Sequence, residues 1–144
     1  LLTAATEANR RFPDDQNYIE SVLYVKLLLG IEIENSLARA VRLLSANSAD
    51  STRKLIAALG FWRLGDLTSA VSTCQHINLN ETTPGQQAIF ASIASDAGFK
   101  SELQTVLSGI RPQALMLPEE QSIHSRLLKA DVGEAPPVPP ATQP

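Results

Sequence analysis

The sequence predicts an all-α fold, a ladder of antiparallel helix hairpins, and three observations carry the prediction. Leu and Ala together supply 38 of the 144 residues while aromatics make up only 5%, a composition of strong helix formers suited to helices packed on helices. No segment sustains the alternation of apolar and polar residues that a half-buried strand needs. Gly30, Gly65 and Gly98 each fall between two apolar-periodic segments, at spacings of 35 and 33 residues, and a fixed period of this size marks a repeated supersecondary unit.

The elements follow in order. Leu1, Leu2, Ala5 and Ala8 form a helical stripe that ends at Pro13, and such a stripe needs cover. The chain therefore reads as a fragment cut from a longer array, with a first helix open to self-association. Residues 15–29 place Ile19, Val22, Leu23 and Leu27 on one face. Residues 33–46 do the same with Leu37, Val41 and Leu44. Residues 51–64 are apolar nearly all round, which predicts a helix enclosed by its neighbours. Residues 67–79 form the next helix, with Asp66 as its N-cap. Thr83-Pro84-Gly85-Gln86 opens residues 84–97 with a capping Thr, a Pro in the first helical position and a Gln two residues later. Residues 100–109 end at Gly109. The last helix, 119–129, starts after Pro118 with Glu119 and Glu120, charges that favour a helix N-terminus. The domain is expected to span 1–130 with this last helix as its cap, and 131–144 to be a Pro-rich disordered tail holding five of the nine prolines.

Composition also removes whole classes of function. A net charge of −3 lacks the basic excess of a nucleic-acid binder. No apolar stretch approaches the ~20 residues of a membrane span. One cysteine excludes a disulfide framework within the chain and a multi-thiolate zinc site. Cys74 and His76, two residues apart, point to different sides of a helix. Cys74 lies four residues after Ala70 on the packing face and is expected to be a buried, inert thiol. His124 is expected on the surface. No HExxH, GxSxG, GxGxxG or phosphate-binding loop is present, so no enzyme activity, cofactor or metal is expected. The compartment is not legible.

The segment GFWRLGDLTSAVSTC at 60–74 has an aromatic, a Leu-Gly-Asp turn and Ala70 five residues after the Gly. Ala8 precedes Pro13 by five residues, and Ala58 and Ala91 each stand seven before a turn glycine. On these residues the chain resembles the tetratricopeptide repeat family over roughly residues 1–110. Its unit is a helix–turn–helix of about 34 residues. The first unit departs from the pattern, with Leu23 and Tyr24 in place of a small residue and a one-residue slip near Ser36-Leu37.

The resemblance implies a right-handed superhelix, or solenoid, whose first helices line a concave face that grips a peptide or partner protein. Here those helices are 15–29, 51–64 and 84–97, and the implied groove side includes Glu20, Tyr24, Leu27, Leu59, Trp62, Arg63, Ser92, Ser95 and Asp96. Trp and Arg are enriched at interface hot spots, which singles out Trp62 and Arg63, although Trp62 also suits packing between helices. Positions where the family can clamp a C-terminal carboxylate hold Glu20, Tyr24, Leu55, Leu59, Ala88 and Ser92. With no Lys or Asn among them, an apolar or extended ligand is expected. Arg39, Arg42, Arg53, Lys54 and Arg63 face only Asp50 between residues 39 and 63, either a basic patch for an acidic partner or solvated helix faces. The function expected is a non-enzymatic protein-interaction or scaffold module. The alternatives are a structural cap or self-association end of a longer repeat protein, and a regulatory appendage of an upstream catalytic domain.

Overall fold

A computed structural model describes residues 2–111 and 114–133. The expected tail from 134 onward and Leu1 lie outside the described residues. Within them the fold is all-α, with no strand. Eight α-helices follow one another: α1 (Leu2–Arg11), α2 (Gln16–Leu29), α3 (Ile33–Ala46), α4 (Ser51–Arg63), α5 (Leu67–Thr73), α6 (Pro84–Asp96), α7 (Lys100–Gly109) and α8 (Pro118–Gly133).

Caps set most of these boundaries. The Asp15, Asp50 and Asp66 side chains accept from the backbone N–H groups of Asn17, Arg53 and Ser69 at the starts of α2, α4 and α5, each satisfying an otherwise orphaned donor. Thr83 and Gln86 form a complete capping box at α6, with Pro84 in the first turn. The three turn glycines all adopt the left-handed conformation, φ 73° to 81°, which a Cβ would strain. Behind each, the same bond recurs. The N–H of Ile31, Asp66 and Phe99 donates to the carbonyl five residues earlier, on Lys26, Phe61 and Ala94, at 2.8, 2.9 and 2.8 Å. One turn geometry, a Schellman-type cap, thus closes α2, α4 and α6. In the first unit an extra residue, Glu32, sits at φ 49° before α3, which accounts for the slip. Ser36, not Asn35, then takes the buried small-residue position.

Two helix ends differ from the sequence reading. Helix α5 stops at Thr73 rather than 79. Its Thr- and Ser-rich sequence is a weak helix former. His76 then turns left-handed at φ 61°, and Leu79–Glu81 make a short 3₁₀ turn capped by Asn78. The apolar Ile77 and Leu79 keep packing on the core, so periodicity continues where the helix does not. Helix α8 runs to Gly133, into the segment expected to be tail.

Helices α2, α4 and α6 form one row, each packed against the next. The core lies between this row and α3, α5 and α7, with Leu23, Leu27, Leu55, Leu59 and Ile89 fully buried. Helix α4 is enclosed by α2, α3, α5 and α6, as its all-round apolar sequence requires. Arg53 near its start is buried and donates to Glu20 at 2.7 Å, to Gln16 and to the Leu43 carbonyl at 3.0 Å. Near its end, Arg63 donates to the Leu27 and Leu28 carbonyls at the close of α2. Helix α1 packs against α2, where Phe12 stacks on Tyr18, and its Ala5 and Ala8 are half-buried.

Candidate functional site

The row α2–α4–α6 carries the residues the sequence assigned to a groove, and at one end they meet. The Trp62 indole Nε1 donates to Asp96 Oδ2 at 2.7 Å. The Arg63 guanidinium carbon stands 5.5 Å from the centre of the Trp62 ring, a cation–π distance. Arg63 also faces the carbonyls at the C-terminus of α2, where a cation is favoured. Burial, with the nearby Arg126 of α8 adding to it, lowers its affinity for the proton. This cluster joins the C-terminal ends of all three row helices at a partly exposed edge.

The rest of the row is not open. Leu27 and Leu59 are fully buried in the core, so neither can touch a partner in this arrangement. Leu59 is shut in because α4 has neighbours on every side. Glu20 is engaged with Arg53. That pair also divides the expected basic patch, since Arg53 is neutralised inside the fold. Ser92 is buried and Ser95 half-buried.

Tyr24 is covered by α8. This helix packs chiefly against α6, has little interface with α7, and is hydrogen-bonded to α2. There the Tyr24 hydroxyl donates to Glu120 Oε1. Glu120 is 4% exposed, and its second oxygen accepts from the Leu117 N–H at 2.7 Å. The carboxyl lies against Gly85 in the first turn of α6. A Cβ on Gly85 would run into it, and the dipole of α6 favours a negative group at this point. Burial first, and the adjacent Glu120 second, raise the Tyr24 phenol well above its ordinary value. Glu120, Ile123 and Leu127 are the buried side chains of α8 among those described. They stand three and four residues apart, one stripe of a helix. Burying Ile123 and Leu127 is worth about 1.5–3 kcal/mol each before the cost of ordering the helix is subtracted. His124, expected on the surface, is half-buried with Nε2 enclosed and unpaired.

Sequence reasoning missed Gly85, Glu120, Ile123 and Leu127 as members of this site. The spacing of Glu120, Ile123 and Leu127 was visible, but nothing local to it points to Tyr24, 96 residues away.

Several cavities border the row. A polar pocket of about 270 Å³ lies beside the α8 contact, lined by Asn17, Ser21, Tyr24, Thr52, Ile56 and Gln86. A more apolar cleft of about 330 Å³ opens on the other side, between Val71, Cys74, Phe90, Ile93 and Phe99. Burial pushes the Cys74 thiol up to about 12, so it is a thiol and not a nucleophilic thiolate at neutral pH. Among the described residues no group of His, Cys, Asp and Glu is arranged to hold a metal ion, and no helix is long and apolar enough to cross a membrane. Comparison with protein-family models, with curated proteins and with solved structures finds no match to this chain.

Proposed function

We propose that this chain is a protein-interaction module of tetratricopeptide-like hairpins, and that a partner helix or peptide docks on the row α2–α4–α6. The observation that carries the reading is that this row already receives a helix. Helix α8 is held there by an aliphatic stripe and a buried phenol–carboxyl contact, the apolar anchors and placed polar group of helix-in-groove recognition. The three repeated turns support the tetratricopeptide likeness. Trp62, Arg63 and Asp96 at one end, and the pocket around Asn17 and Thr52 at the other, supply accessible rims.

The test places a photo-crosslinking residue at Asn17, at Arg63 and, on an outer helix, at Ser108. Partner crosslinks concentrated at the first two positions support the reading, and equal or greater yield from Ser108 defeats it. Replacing Trp62 by Ala should cut partner capture about tenfold if the indole is a hot spot. A second reading, that α8 only closes the end of a longer array, draws on the burial of Ile123 and Leu127. It predicts no partner crosslinks on the row.

A further inference from the structure

The face that α8 occupies is shaped for particular features of a helix. Gly85 leaves a slot that only an absent side chain provides, and the Glu120 carboxyl fills it. From the receiving face, the Tyr24 hydroxyl and the first turn of α6 meet that carboxyl, whose second oxygen is held by the Leu117 N–H at the start of α8 itself. Ile123 and Leu127 continue the contact one and two turns further along. Helix α8 packs extensively against α6. It has little interface with α7, its sequence neighbour. The chain leading into it is non-helical at Ala114–Leu117, where Leu115 is 95% exposed. Burying a phenol–carboxyl pair adds selectivity more than strength, because both groups are well solvated when apart.

We propose that the row is a receptor for an amphipathic helix bearing a Glu followed by branched aliphatic residues three and seven positions later, and that α8 is the copy of this ligand the chain carries for itself. The inference rests on the interaction reading above and gives it a partner chemistry and a regulation. A partner helix with this spacing binds by displacing α8, so α8 holds the site closed until a competitor arrives. The carboxyl sets the register, since shifting the helix by one residue moves it out of the Gly85 slot.

The probe is a fluorescent synthetic peptide of residues 116–133, titrated into the full chain and into the full chain carrying Ile123→Asp and Leu127→Asp, which weaken the resident helix. The peptide should bind the double variant at least tenfold more tightly than the unmodified chain. Adding Gly85→Ala to the receptor, or Glu120→Lys to the peptide, should abolish that gain. Gly85 is not left-handed, so alanine closes the slot without straining α6. Equal binding to both chains, or a gain that survives Gly85→Ala, overturns the proposal. If the double variant loses its cooperative unfolding, hydrogen exchange on the unmodified chain decides. Amides of α8 should exchange at least tenfold faster than those of α4, through local opening; exchange as slow as α4 overturns the proposal. An α8 that never opens, with partner crosslinks still concentrated at Asn17 and Arg63, leaves the interaction reading standing. Loss of both removes both.

Discussion

Helices α4 and α8 both contribute to one core, yet they are held in different ways. Helix α4 buries eight residues, from Ser51 to Gly60, and has neighbours on all sides. Its two arginines tie it to α2 near each end. Among its described side chains α8 buries one stripe of three; it packs on α6, and a carboxyl of that stripe reaches across to Tyr24. A helix enclosed all round fixes the arrangement of the others. A helix held along one stripe can be exchanged for another that presents the same stripe.

The sharpest way to break this comparison is to truncate equivalent anchors. Leu59→Ala should cost about 3 kcal/mol of global stability in urea unfolding, since the enclosed site cannot collapse around the void. Leu127→Ala should cost about 2 kcal/mol, but the loss should appear as faster hydrogen exchange in α8 with the urea midpoint of the remainder little changed. An equal global loss from both would erase the distinction. Next come the ends of the row helices. Thr83→Ala removes half of the capping box and should cost about 1 kcal/mol, lowering the melting temperature by a few degrees. Gly65→Ala should cost about as much by straining the left-handed turn.

The smallest effect is a dependence on alkaline pH. Burial raises both the Cys74 thiol, to about 12, and the Tyr24 phenol. A group whose value is raised by folding contributes stability that is complete below its unfolded value and lost as pH climbs toward the folded one. On the alkaline side, stability should thus decline as pH rises from about 9 toward 12, as the unfolded chain releases protons that the folded chain keeps. Tyr24→Phe should remove part of that slope, and Cys74→Ala another part, in urea midpoints measured across the range.

Much of this architecture was legible because it is written locally. Asp66, Thr83-Pro84 and the glycines at 30, 65 and 98 mark helix ends by chemistry that acts within a few residues. They place α4 and α6 to within a residue of their observed bounds. Counting from the turn glycines also brought Trp62, Arg63 and Asp96 to one place, because the repeat fixes which residues of successive helices align. The end of α5 was not legible, since Ile77 and Leu79 keep the apolar period after the backbone has left the helix. Nor was the covering of Tyr24. Glu119 and Glu120 read as charges suited to a helix start, and Glu120 does bond back to Leu117 in that role. The same carboxyl has a second partner that only the tertiary fold supplies. Leu27 and Leu59 were assigned to an open groove for a different reason: the repeat resemblance set them on the groove side, whereas the packing of α2 and α4 on each other and on the neighbouring outer helices encloses both in the core.

The separation of Tyr24 and Glu120 also orders the assembly of the molecule in time. Each hairpin joins residues that are close in sequence, and such contacts close early. The Tyr24–Glu120 contact spans 96 residues, and the loop it closes becomes short only after the intervening hairpins have formed. The Tyr24–Glu120 contact should therefore form late, after α8 has packed on α6, its nearer neighbour in sequence. Weakening it should leave the refolding rate alone and speed only unfolding. During synthesis the row is complete before α8 leaves the ribosome, and for that interval its face stands open to any helix that fits.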